Sequence, residues 1–172
     1  MDNQNRIIFG FSRPKGWFQP FSWAIRFFTW SNISHAYIKF YSTKYDRWLI
    51  YQASGLAVNF IGDAMFAPKE VIVEEYEIPI SELTKNKTIE YAIDKCGSSY
   101  GVLEILGLLL VILAKKVGKN IPNILYNNNT FVCSELAADI LIEIGEGNGL
   151  DPKTTTPVDL RNFLNSKGYK AK

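Results

Sequence analysis

From the first polar residues to Pro79 the chain alternates apolar and polar side chains; beyond Pro79 the spacing turns helical. The period-2 runs predict strands over 6–11, 35–41, 47–53, 56–61 and 70–78. Two prolines and a glycine mark 14–20 as a loop, and 21–28 reads as a short helix capped by Ser22. Helical segments follow at 88–96, ended by Gly97, at 102–116, from Cys133 to about residue 144, and after Pro157. Strands come first and helices second. That order predicts an α+β fold, an antiparallel sheet packed against helices, and excludes a doubly wound parallel sheet.

The polar stretch 42–45 reads as a hairpin loop between the second and third strands. With Tyr41 paired to Asp46 across it, Tyr37 faces Ile50, Lys39 faces Trp48, and His35 lies opposite Gln52. Directly opposed side chains stand about 5 Å apart on one face of a sheet. A slip of one residue would send the two to opposite faces.

With 172 residues, 47% apolar and 21% charged, the chain fits one folded domain spanning 1–172. A net charge of +2 gives no case for nucleic acid. Two cysteines, Cys96 and Cys133, make no disulfide framework, and one histidine leaves too few ligands for a structural zinc site. No metal or organic cofactor is expected. Met1-Asp2-Asn3-Gln4-Asn5-Arg6 does not read as a secretory signal, so a cytoplasmic protein with free thiols is the expectation. The apolar run 102–114 contains only Glu104 as a charge and falls short of the roughly 20 residues a bilayer needs. It reads as a buried core helix, with a membrane-touching helix as the alternative.

Cys133 is the candidate nucleophile. It lies where the Asn-rich loop 127–129 turns into a helix, and the open N–H groups and positive end of a helix start favour a thiolate. It shares a stripe with Leu136, Ala137, Ile140, Leu141 and Ile144, so it faces inward. A buried, inert thiol is the plainer reading of that position taken alone. His35, the sole histidine, is the only partner for Cys–His chemistry. A Gln52 amide oxygen accepting its Nδ1–H would fix the tautomer and leave Nε2 free to take a proton. Glu135, in the first helical turn, reads as structural or pocket-shaping and would, if anything, raise a nearby thiol. Cys96 has no histidine to claim and reads as a buried bystander. Phe18, Phe21, Trp23, Phe27, Phe28 and Trp30, with Lys15 and Arg26, form an aromatic-basic cluster, read either as core or as a cleft wall or lipid contact.

Taken together these segments resemble a family. Ser31-Asn32-Ile33-Ser34-His35-Ala36-Tyr37-Ile38 is similar to the histidine strand of circularly permuted papain-like hydrolases. These form the YiiX/YaeF-like branch of the NlpC-type superfamily, with lecithin retinol acyltransferase a more distant relative. Tyr51-Gln52-Ala53-Ser54-Gly55 resembles the segment supplying their third polar residue. Phe131-Val132-Cys133-Ser134-Glu135-Leu136 resembles their nucleophile motif, and Thr156-Pro157-Val158-Asp159-Leu160 their closing segment. Tyr100-Gly101 before an apolar helix also fits. His precedes Cys, the permuted order. Many permuted members carry a carboxylate where this chain has Gln52; a neutral amide orients an imidazole but stabilises its cation less.

The resemblance implies a circularly permuted papain-like fold and a thiol hydrolase, an amidase/peptidase or acyl-ester hydrolase working through an acyl-enzyme. Cys133 would attack, His35 would serve as general base and then acid, and Gln52 would orient it. The Cys133 N–H would help form an oxyanion hole. Tyr100, Trp30 and Ser134 are the expected substrate contacts. Peptide, cell-wall peptide or lipid-acyl groups are the expected substrates. Alternatives are an acyltransferase, a non-catalytic peptide- or lipid-binding module, and a membrane-associated structural protein resting on the apolar helix and the aromatic cluster.

Overall fold

The computed structural model describes residues 5–55, 57–127 and 129–172. Leu56, assigned above to a strand, Asn128 of the Asn-rich loop and the first four residues lie outside the described residues. The chain is α+β. The described strands are β1 (Arg6–Pro14), β2 (His35–Ser42), β3 (Arg47–Ser54), β4 (Ala57–Gly62), β5 (Glu70–Pro79), β6 (Ser99–Tyr100) and β7 (Thr130–Phe131). They form one sheet in the order β5-β1-β2-β3-β4-β6-β7, antiparallel except for the β6–β7 pair. The helices are α1 (Pro20–Thr29), α2 (Asp63–Phe66), α3 (Glu82–Asp94), α4 (Val102–Lys116), α5 (Cys133–Glu143) and α6 (Pro157–Ser166).

Alternation along β2 sorts its side chains. Ala36, Ile38 and Phe40 join Ile7, Phe9 and Phe11 of β1 in the main core, against Leu136, Ile140 and Leu141 of α5 and Leu160 and Leu164 of α6. Tyr37 points to the other face, where Phe66 of α2 and Ile50 cover it. The Tyr37 hydroxyl donates to Glu75 at 2.7 Å, and Lys39 pairs with the same carboxylate at 2.8 Å. The Tyr37 ring lies across Gly10, its register partner on β1.

Helix starts follow their caps. Ser81 Oγ accepts from the Thr84 N–H at 3.0 Å, so α3 begins well before the expected residue 88. Thr156 and Asp159 cap α6 reciprocally, with Pro157 at its first position. Ser22 does not cap α1, which begins at Pro20; its hydroxyl bonds Ser34 Oγ at 2.6 Å instead.

The hairpin register differs from the expected one by two residues. Ser42 faces Arg47 and Tyr41 faces Trp48, so the loop is 43–46. Asp46 takes a left-handed backbone (φ 49°) that cannot continue a strand, and the Tyr41 hydroxyl donates to its carboxylate. The last pair therefore moves outward. An even shift keeps His35 and Gln52 on the same face, as diagonal neighbours and not as a directly opposed pair.

Helix α4 is not the buried core helix expected. Glu104, Ile105, Leu108, Val111 and Ile112 face inward, whereas Leu103, Leu106, Leu110, Leu113 and Val117 face out. Its one acid is turned inward because Glu104 Oε1 accepts from the Asn127 N–H and the Thr130 hydroxyl, both at 2.7 Å. Among the described residues no helix is long and apolar enough to cross a membrane.

A Cβ added at Gly10 would sit 2.1 Å from a Tyr37 ring carbon, whereas one at Gly62 would meet nothing within 4 Å. Gly10→Ala is therefore expected to lower unfolding stability by about 1–3 kcal/mol through overpacking. Gly62→Ala should stay within about 1 kcal/mol of the parent. Urea unfolding of the two variants side by side checks the contrast.

Candidate active site

His35 and Cys133 are each the first residue of their element, β2 and α5, and they meet at the end of the sheet. Ser34 fixes the entry to β2, its N–H donating to the Ser12 carbonyl at 3.0 Å. The His35 ring is half-buried, 6.3 Å from Phe66 and 6.4 Å from Tyr37 between centroids. Its Nε2 lies 2.9 Å from Gln52 Oε1. The expected nitrogen was Nδ1. The amide oxygen fixes Nε2 as the protonated nitrogen and leaves Nδ1 for the thiol, which hydrogen-bonds the ring.

Cys133 opens α5, and Leu136, Ala137, Ile140 and Leu141 of the same helix pack into the main core. Burial would push the thiol up, but the charge and hydrogen bond of His35 outweigh it. The Ala36 and Ser134 backbone N–H groups add to the effect, and the thiol falls below its ordinary value. For His35, burial alone would lower the value. The Cys133 thiolate, then the Glu70 carboxylate, then the Gln52 hydrogen bond raise it to about 9. The geometry favours thiolate and imidazolium together over thiol and neutral imidazole.

Glu70 was not visible in the sequence reading. It begins β5, where its Oε2 accepts from the buried Ser12 hydroxyl at 2.8 Å, and Ser12 is the register partner of His35 on β1. A bulge lies at this point: Phe11 pairs with Glu74 and Ser12 with Ile72, leaving Val73 extra. Bulges of this kind re-aim side chains. The one signal in the sequence is Ser12 itself, a small polar residue at an interior strand position.

A cleft of about 740 Å³ opens beside His35 and Glu70. Its apolar side comes from Phe21 and Ile25 of α1 and from Val102 and Ile105 of α4; Gln19 and Lys69 add polar edges. Tyr100 lines the cleft, and burial followed by the Cys133 charge raises its hydroxyl. The thiol itself is 5% exposed and sits behind His35 and Tyr100. Trp30 is not on the cleft wall: it ends α1 in a left-handed turn, 82% exposed, stacked on Phe27. Ser134 is buried in the start of α5, its Oγ without a hydrogen-bond partner, and only its backbone N–H serves the site.

Glu135 caps its own helix, its Oε2 accepting from the Val132 N–H at 3.3 Å. Burial, then the neighbouring Glu104 carboxylate, pushes it up to about 7. Cys96, expected to be buried, is exposed just past the end of α3, and desolvation of its sulfur still raises its thiol. Among the described residues no group of three or more His, Cys, Asp or Glu side chains is arranged to hold a metal ion.

No protein-family model and no curated protein sequence matches this chain.

Thiol alkylation against pH reads the pair directly. Cys133 is expected to react with iodoacetamide near pH 6.5 much faster than Cys96, and its inflection to lie below the ordinary thiol value of roughly 8.5. His35→Ala should move that inflection up and slow labelling at pH 6.5 on the order of a hundredfold. Glu70→Gln weakens the imidazolium, so the inflection should move up by a smaller step, slowing labelling about threefold. An unmoved inflection in Glu70→Gln would remove that carboxylate from the site.

Proposed function

We propose that this chain is a cysteine hydrolase of circularly permuted papain-like design, acting on an amide or ester through an acyl-enzyme. The observation that carries the reading is one continuous chain of contacts, Gln52 to His35 to Cys133, ending on a helix start. The order of parts supports it: histidine and amide on neighbouring antiparallel strands, the cysteine helix later in the chain and packed on the same sheet.

In the acylation step the Cys133 thiolate adds to the substrate carbonyl and an S–C bond forms. The carbonyl oxygen takes up the negative charge close to the start of α5, where backbone N–H groups stabilise it. His35 gives its proton to the leaving amine or alcohol as the C–N or C–O bond breaks. Now neutral, His35 accepts a proton from water, whose oxygen attacks the thioester, and the acid product leaves with the thiolate restored. An amine or alcohol in place of water makes the same cycle an acyl transfer. Gln52 keeps Nε2 occupied throughout, so Nδ1 carries the moving proton. Glu70 supplies part of the charge stabilisation that a neutral amide lacks.

A non-catalytic peptide- or lipid-binding module on the same scaffold is the second reading, favoured by one observation, the nearly complete burial of the Cys133 sulfur. Intact-protein mass spectrometry separates the two. With p-nitrophenyl acyl esters a one-acyl mass gain mapping to Cys133 is expected, with turnover. Cys133→Ser and His35→Ala should each lower kcat/KM by at least about a thousandfold, and Gln52→Ala by roughly tenfold to a hundredfold. Absence of both adduct and turnover across short- and long-chain esters and peptide amides would favour the binding module.

A further inference from the structure

We propose that the paired outer faces of α1 and α4 dock onto an anionic lipid surface. Both helices carry apolar side chains on their outer face as well as on the inner one. On α4 the exposed positions Leu103, Leu106, Leu110, Leu113 and Val117 repeat at three- and four-residue spacing, a full apolar stripe facing out. On α1, Trp23, Phe27 and Trp30 do the same, and Trp17 and Phe18 in the preceding loop are 84% and 67% exposed. The two helices lie side by side. Ile25, midway along α1, clusters beneath the surface with Ile105 near the start of α4, and the Lys116 ammonium sits 5.4 Å over the Trp30 ring at their ends. An apolar face of two helices and a loop exceeds the scattered exposed residues usual on a monomer.

Charge selects the occupant. From Lys15 to Trp30 the sequence holds no Asp or Glu, and from Val102 to Asn120 the one acid is Glu104, which is buried. The two segments carry Lys15, Arg26, Lys115, Lys116 and Lys119; Lys116 stands over Trp30, Lys115 pairs with Asp159 at 2.9 Å, and no carboxylate of either segment is exposed. Tryptophan, phenylalanine and leucine with cations in the same segments match the boundary between headgroups and acyl chains, and anionic lipid adds attraction. A second copy of the chain fits less well, because two-fold pairing of this face would bring like charges together. The same two helices supply Phe21, Ile25, Val102 and Ile105 to the cleft. Docking on this face thus sets the cleft mouth at the lipid surface, independently of whether Cys133 turns over substrate.

Flotation of the full chain with phosphatidylcholine vesicles, with and without about one-third phosphatidylserine, tests this. The chain is expected to float with the anionic vesicles. The bound fraction should fall about tenfold without phosphatidylserine or at roughly 0.5 M salt. Phe27→Ser/Leu110→Ser, a pair of exposed changes checked for an unchanged circular-dichroism melt, should lose at least about tenfold of the binding. Cys133→Ala should float like the parent, which keeps this outcome separate from that of the catalytic reading. A parent chain that stays at the bottom of the gradient with both vesicles overturns the proposal, as does a double variant that floats unchanged. Light scattering that shows a dimer dispersed by the same double variant, without flotation, assigns the face to a second copy and also overturns it.

Discussion

Everything at the site depends on one contact, between the sulfur at the first residue of α5 and the imidazole at the first residue of β2. Neither group has a stable charge alone in that place: burial disfavours the thiolate and the imidazolium separately. Together each supplies the counter-charge the other needs. The packing of α5 holds them there, since Leu136, Ile140 and Leu141 anchor the helix on Ile38 and Phe40 of the same strand that carries His35. Core and chemistry therefore share one interface, and a loosened core would be felt first as a lengthened ion pair.

Long periodic elements were legible from sequence, and the reasons are physical. β2 and β5 show a period of two because Ala36, Ile38 and Phe40, and Tyr76 and Ile78, turn to the main core, although β2 and β3 also bury Tyr37 and Ile50 on the second face. The Cys133 helix was legible from its stripe. Elements too short to show a period were not: α2 and the two-residue strands β6 and β7 owe their form to neighbours. The hairpin register missed by two because the left-handed backbone of Asp46 leaves no mark on apolar spacing. Parity survived, and with it the meeting of His35 and Gln52. The expected ring nitrogen did not, since Nε2 and not Nδ1 meets the amide oxygen.

Glu70 and α4 show two further ways a sequence conceals its purpose. Glu70 reaches the site from two strands away, steered by a bulge, and nothing in the local run at 70–78 distinguishes it from Glu74, Glu75 and Glu77. In α4 the apolar residues outnumber what the core can take, and composition alone cannot say which side turns inward. Glu104 decides it by satisfying the backbone of residue 127 and the side chain of Thr130, which opens β7. One carboxylate thereby orients the helix and ties it to the segment that leads into Cys133.

The order of parts along the polypeptide has a consequence for biosynthesis. During translation the histidine hairpin emerges early and can close while the ribosome is still far from the codon for Cys133. A nascent chain thus carries His35 and Gln52 before Cys133 exists. The pairing of sulfur and imidazole forms only when the late helix docks, so it first appears in a molecule whose core is already assembled around it.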